Sequence, residues 1–298
     1  MKIKYRNFRF SEATLELITT CAQIVEEYED QGFSLTLRQL YYALVSRDII
    51  PNKQSEYKRL GGVVNDARLA GMISWTMIED RTRNLETISE WTTPGEAVQS
   101  MAEWYHVDLW KDQPIRPEVW IEKDALVGVI EPTCQQFDVD YFSCRGYTSQ
   151  SEMWRAAMRL RDYIRAGQKP IILHLGDHDP SGKDMSRDIH DRLKLFLRGQ
   201  EIHLERIALN MDQIRQYNPP PNPAKFTDSR CDKYVKEFGR SSWELDALEP
   251  RVIADLITDW LNSLMKRSKF RNRVQLKKDG QAQLEELSNR WDEISKSL

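Results

Sequence analysis

Asp177 and Asp179 stand one residue apart in the run Leu175-Gly176-Asp177-His178-Asp179-Pro180-Ser181-Gly182, directly after the apolar stretch Ile171-Ile172-Leu173-His174. Such a short apolar run reads as a buried parallel strand that stops at Gly176. The two carboxylates then fall in a loop, with a helical stretch from Lys183. In open α/β sheets, ligands collect outside the carboxyl ends of the strands. Hard carboxylate oxygens placed there suit Mg²⁺, which takes one or two carboxylates and keeps several waters. Asp, Pro, Ser and Gly also make ordinary solvated turns, so the aspartate pair alone does not separate the two readings. Glu122 does. It follows another short apolar run, Val119-Trp120-Ile121, and precedes an apolar-periodic segment through Leu126, Val127 and Ile130. Strand, acid and helix thus occur twice, and Glu122, Asp177 and Asp179 are expected on one edge of one sheet as ligands of Mg²⁺.

A different chemistry is possible at Tyr42. Thr36-Leu37-Arg38-Gln39 is a capping box that opens a helix. Leu37, Leu40, Tyr41, Leu44 and Val45 follow at helical spacing and define its buried face. Tyr41 belongs to that face; Tyr42, turned by about 100°, points away from it, beside Arg38 one turn earlier. The helix is therefore expected to expose a tyrosine hydroxyl and a guanidinium together. A hydroxyl with a pKa of about 10 is a poor nucleophile unless a cation lowers that pKa or a base takes the proton. Arg38 is the candidate cation. An exposed tyrosine beside an arginine is also an ordinary feature of an amphipathic helix.

Glu122-Lys123 after one strand and Asp177-His178-Asp179-Pro180-Ser181-Gly182 after a later one resemble the Toprim domain of topoisomerases and primases. The closer resemblance is to the A subunit of topoisomerase VI and the meiotic double-strand-break transesterases, which carry an E-K pair and a D-x-D-P-x-G run in these places. Arg38-Gln39-Leu40-Tyr41-Tyr42 is similar to that family's R-D-[IL]-[YF]-Y motif, with Gln39 in place of the acid. Gly146 matches a glycine near the family's second strand end, and Trp243 to Pro250 is similar to a late E-x-x-A-L stretch. The resemblance covers most of residues 34 to 250. It implies an α/β fold: an N-terminal, mostly helical winged-helix domain, then a Toprim-like parallel-sheet domain with a helical C-terminus. It also implies that Tyr42 is the catalytic nucleophile, joined to the 5′ phosphate of DNA, with Mg²⁺ at Glu122, Asp177 and Asp179. Family members are homodimers in which the tyrosine of one subunit meets the metal site of the other. The chain has no P-loop and no G-x-G-x-x-G, so an ATPase, if there is one, is expected as a separate subunit. Two alternatives stay open: a Toprim nuclease that uses metal-activated water, and a non-catalytic DNA-binding accessory protein.

The elements that must position these residues divide as 1–90 (winged helix), 91–117 (connector), 118–260 (Toprim-like) and 261–298 (helical extension). Ser11 caps a first helix that Gly32 stops. A third helix is expected from Tyr57 to Gly71, and Ile73 to Ile78 alternates as a strand or wing. Helices are also expected from Glu96 to Tyr105 and, from a capping box at Ser149-Gln150-Ser151-Glu152, to Ala166. Further strands are read from Val139 to Ser143 and from Ile202 to Leu209, and the run Pro219-Pro220-Pro221-Asn222-Pro223 must be irregular. Lys58, Arg59, Arg68, Arg81, Arg83, Arg145 and Lys183 are candidate phosphate contacts, although such charges also serve as a solvated face. His174 is expected in the core and His178 beside the aspartates.

With 298 residues, 40 % of them hydrophobic, the chain can form one or two domains. A net charge of −3 argues against wholesale coating of nucleic acid, so DNA contacts must come from local patches. Cys21, Cys134, Cys144 and Cys231 are scattered, which indicates neither a zinc site nor a disulfide framework. No apolar run has bilayer length and no signal-peptide core is present, so a soluble cytoplasmic protein without membrane contact is expected.

Overall fold

The computed structural model describes residues 2–78, 88–223 and 230–295. It is a mixed α/β structure whose main sheet has four parallel strands. The N-terminal part is helical: α1 (Glu12–Asp30), α2 (Leu37–Ser46) and α3 (Gln54–Leu69). Ser11 caps α1, accepting from the Thr14 amide. Thr36 and Gln39 form the expected capping box of α2. Leu17, Ile18, Ile24, Leu40, Leu44, Leu60, Val64 and Ile73 build a core of their own there. Each such side chain contributes roughly 1.5–3 kcal/mol when fully buried.

Two expectations in this part are corrected. Ile73 to Ile78 forms bends rather than a strand, with a single parallel bridge between Leu35 and Ile78. Arg68 donates to the Trp75 and Ile78 carbonyls at 2.6 and 3.1 Å and satisfies them locally, while Ile73 and Ile78 turn into the core. Tyr42 is not exposed. It is buried within the N-terminal core against the Tyr41 ring, with the Arg38 guanidinium over its own ring.

Helix α4 (Pro94–Trp104) leads to the sheet strands β1 (Ile115–Ile121), β2 (Tyr141–Ser143), β3 (Lys169–Leu175) and β4 (His203–Ala208), arranged in the order β2-β1-β3-β4. The sheet begins inside the expected connector, since β1 starts at Ile115 and includes Pro117. That proline is tolerated because β2 pairs only with Val119, Trp120 and Ile121, leaving Pro117 a neighbour on one side alone. A 3₁₀ turn at Asp124–Leu126 enters α5 (Val127–Phe137), and α6 (Gln150–Arg165) and α7 (Pro180–Phe196) follow. Helix α7 begins three residues earlier than expected, with Asp179 as its N-cap.

Strand alternation sorts the helices onto two faces. Val119, Ile121, Ile171, Leu173 and Leu175 pack with α5 residues such as Val129, Ile130 and Cys134. Trp120 and Ile172 pack on the other face with Met153, Ala157 and Leu160 of α6 and Met185, Ile189 and Leu193 of α7. Glu118 shares this second face and is buried. Arg159 holds it with two 2.8 Å bonds, and the Trp120 indole donates at 2.9 Å.

Beyond β4, α8 (Met211–Tyr217) leads to β5 (Asn222–Pro223), and α9 (Cys231–Phe238) precedes β6 (Ser241–Ser242), which pairs antiparallel with β5. The proline run ends in this pair. A 3₁₀ turn at Leu245–Ala247 precedes α10 (Pro250–Leu264), which closes the α5 face. Helices α11 (Arg267–Asn289) and α12 (Trp291–Ile294) fold back on α4. There Gly280 lies directly against the Tyr105 ring and Gly95 against Trp291. No helix among the described residues is long and apolar enough to cross a membrane.

Candidate functional site

Strands β1 and β3 are neighbours whose chains leave the sheet toward opposite faces, β1 into α5 and β3 into α7. This is a topological switch point, where the carboxyl ends of parallel strands leave a crevice. Glu122 continues β1 into the crevice, with its amide donating to the Leu175 carbonyl at 2.9 Å. Asp177 and Asp179 continue β3. The three expected acids are therefore at one sheet edge.

Close packing shapes the loop that carries them. Glu122 Oε2 accepts the Asp177 amide at 2.9 Å, and Asp179 Oδ1 caps α7 by accepting the Gly182 amide at 2.6 Å. A Cβ on Gly182 would overlap the Asp177 carbonyl oxygen and come within 3.0 Å of Glu122 Oε2. Arg206, reaching across from β4, donates to the carbonyls of Gly176 (2.8 Å), Asp177 (2.5 Å) and Gly182 (2.9 Å) and to Ser186 Oγ (2.8 Å). A guanidinium can bind several acceptors at once because its donors form a rigid fork.

Asp177 is engaged on both oxygens. Oδ1 accepts the Leu245 amide at 2.8 Å, and Oδ2 pairs with Lys123 Nζ at 3.0 Å. Lys123 also reaches Glu244 and Asp246, each at 2.8 Å. Arg38 of α2 meets the same two acids, with Nε on Asp246 Oδ2 at 2.6 Å and Nη2 on Glu244 Oε2. Two cations and two carboxylates thus interlock, and this network covers Tyr42. Sequence reasoning singled out Arg38 and named Lys123 only within the Glu122-Lys123 pair. Glu244 and Asp246 it passed over as sites, although the late E-x-x-A-L similarity pointed at that segment.

The electrostatics follow. Burial raises the Tyr42 pKa above its ordinary value, and Glu244 and Asp246 raise it further, against the opposing pull of Arg38. Arg38, expected to activate the hydroxyl, is outweighed there by the two acids it binds. Burial alone would raise Glu244 as well, but Lys123 and then Arg38 overrule it and hold its carboxyl at about 2. Burial pushes Asp177 up to about 7, against the pull of Lys123, and burial followed by Asp179 raises Glu122.

Arg38, Tyr42, Asp179 and Glu244 line one cavity of about 500 Å³, together with Tyr57 and Asn222. Among the described residues, no three His, Cys, Asp or Glu side chains are gathered as a metal cage. No protein-family model and no curated protein matches the chain. The donor chemistry nevertheless suits a hard cation held by two acids: Glu122 Oε1 and Asp179 Oδ2 accept no hydrogen bond from the described residues. Mg²⁺ commonly binds through one or two carboxylates plus water. Asp177, as a ligand, would first have to release Lys123.

The remaining basic candidates are dispersed. Lys58 and Arg59 are exposed on α3, and Arg59 pairs with Glu56 at 2.7 Å. Arg68 is taken up by the Trp75 and Ile78 carbonyls and by the Trp75 ring. Arg81 and Arg83 lie outside the described residues. Arg145 is exposed beside Asp124 at 3.0 Å, and Lys183 Nζ lies over the Phe238 ring at the start of α7. His174 is buried in the sheet and bonded to Ser186. His178 is buried too, with Nδ1 2.8 Å from the Tyr234 hydroxyl, so it fastens α9 to the aspartate loop.

Proposed function

We propose that this chain is a Mg²⁺-dependent DNA-cleaving transesterase resembling the topoisomerase VI A subunit, with a winged-helix-like N-terminal part and a Toprim-like sheet domain. One observation carries the reading: Tyr42, Arg38 and Asp179, drawn from the two motif regions, line the same cavity. The Tyr42 oxygen would attack a backbone phosphorus while the bond from phosphorus to the 3′ oxygen breaks. The tyrosine proton leaves, the 3′ oxygen gains one, and the 5′ phosphate stays joined to Tyr42. One phosphodiester replaces another, so the step is reversible without an external energy source. Mg²⁺ bound at Glu122 and Asp179 would stabilise charge on the phosphate and on the departing oxygen. Arg206 and the packing at Gly182 hold the acid loop in place for that role. The hydroxyl, as Glu244 and Asp246 surround it, is a weak nucleophile, so attack requires the charges around it to change.

Where the resemblance implies that the tyrosine of one subunit meets the acids of the other, Tyr42 and Asp179 of one chain share this cavity; a homodimer would bring two such sites to one duplex, and any ATP-driven step would belong to a separate subunit. Burial of Tyr42 favours a second reading, in which metal-activated water cuts and the tyrosine is structural. Supercoiled plasmid incubated with protein and Mg²⁺, with and without proteinase before extraction, separates the two. Protein-linked ends that vanish in Tyr42→Phe are expected. Free ends unaffected by Tyr42→Phe would establish the hydrolase instead. Absence of cleavage together with retained DNA binding would favour the accessory role.

A further inference from the structure

Glu244 and Asp246 hold the same two cations, but from different depths. The Asp246 side chain is fully buried and anchors Arg38 Nε and Lys123 Nζ from below. The Glu244 side chain is 21 % exposed and stands in the cavity wall. A single oxygen, Oε2, bridges Arg38 Nη2 and Lys123 Nζ. Carboxylate and phosphate oxygens make the same charge-assisted bonds to guanidinium and ammonium groups. Glu244 lines the open cavity with Arg38 and Tyr42, and its Oε2 also reaches Lys123, which lies behind the wall. An anionic oxygen held between an arginine and a lysine at the edge of a cavity therefore marks a place where a phosphate oxygen fits.

We propose that Arg38 and Lys123 form a binding site for one backbone phosphate of DNA, and that Glu244 Oε2 occupies this site until the phosphate displaces it. The proposal rests on the DNA-cleaving reading above and specifies where the scissile phosphate is seated. Asp246 keeps both cations in place during the exchange, because its fully buried carboxylate binds each of them independently of Glu244. Displacement also separates Glu244 from the Tyr42 hydroxyl, which leaves the tyrosine beside Arg38 and the bound phosphate. Lys123 is then a phosphate-binding residue, and Glu244 is a positioning residue that reserves the site.

The test needs no catalysis. Binding of a duplex oligodeoxynucleotide is measured in EDTA over a series of monovalent salt concentrations for the unmodified protein, Glu244→Gln and Glu244→Gln combined with Lys123→Met. Each phosphate engaged steepens the plot of log affinity against log salt by about 0.9. Glu244→Gln keeps the shape and removes the competing charge, so it should bind several-fold more tightly. Its slope should match that of the unmodified protein, which engages the same single phosphate once Glu244 is displaced, and adding Lys123→Met should abolish the gain in affinity and make the slope shallower by about 0.9. Thermal unfolding of each variant checks that it is folded at the assay temperature. Lys123→Met alone, folded but with a lower melting temperature because Asp177, Glu244 and Asp246 lose a shared cation, should show a shallower slope than the unmodified protein and supplies a second reading if Glu244→Gln does not fold. DNA binding that is no tighter in Glu244→Gln than in the unmodified protein, or a slope that Lys123→Met leaves unchanged, would overturn the phosphate site and leave the cleavage reading standing. No DNA binding by the unmodified protein or any variant would overturn both.

Discussion

Gly182 permits the sharpest test of how the acid loop is built. Replacing it with alanine puts a Cβ onto the Asp177 carbonyl oxygen, well inside the 3.0 Å that real Cβ atoms respect, and 3.1 Å from the Asp177 carbonyl carbon. Ordinary contact needs about 3.5 Å, so backbone must move, on the order of 1 Å. That backbone is held on both sides. The Asp177 carbonyl accepts from Arg206, and the Asp177 amide donates to Glu122. Overpacking of this kind costs about 3 kcal/mol. Alanine in the first turn of α7 recovers up to about 1 kcal/mol through lower chain entropy. The net loss is about 2 kcal/mol, and for a chain of this size the melting temperature should fall by about 3 °C. Thermal unfolding followed by circular dichroism measures it directly. A Gly182→Ala protein as stable as the parent would show that helix propensity outweighs the overlap and that the loop is not tightly held.

Gly176→Ala should act differently, because its Cβ would meet the movable Glu122 carboxylate at 2.8 Å, with Arg206 Nη1 at 3.2 Å. We expect less than about 1 kcal/mol of destabilisation and, under the proposed function, at least a tenfold loss of Mg²⁺-dependent cleavage as Glu122 swings away; a melting temperature as low as that of Gly182→Ala would refute this. Glu244 titrates at about 2 in the folded chain and at 4.5 ordinarily, so the unfolded state binds more protons between these values. Its contribution to stability is therefore complete above about pH 4.5 and lost as pH falls toward 2. Glu244→Gln should flatten this part of the profile of melting temperature against pH, and an unchanged acid limb would count against the ionic network.

The parts of the fold that local pattern controls were legible in the sequence. Thr36 and Gln39 announce the start of α2, and the apolar runs before Glu122 and Asp177 announce strands whose ends converge. Gln39, which stands where the resembling motif has an acid, serves the helix end locally, its side chain accepting the Thr36 amide at 2.8 Å. What was not legible depends on distance along the chain. Helical phase predicts an exposed Tyr42, yet Tyr42 belongs to the N-terminal core, and Arg38 beside it is covered by acids 206 and 208 residues away that no periodicity reports. The stretch from Ile73 to Ile78 has the alternation of a strand, yet an arginine side chain takes the carbonyls of Trp75 and Ile78. Hydrophobic pattern records which residues face inward, not which group satisfies the backbone.

The clasp between α4 and α11 has a consequence for how the chain folds. Gly95 against Trp291 and Tyr105 against Gly280 set the two helices antiparallel, one preceding every strand of the sheet and the other following the last. Their contact closes a loop that contains the entire sheet domain. Closing so long a loop first would restrict a disordered chain for little return, whereas a folded sheet brings its ends together beforehand. The order this imposes is sheet first and clasp last. Opening should run in reverse, with the C-terminal helix detaching while the acids, Arg206 and the cavity they surround remain assembled.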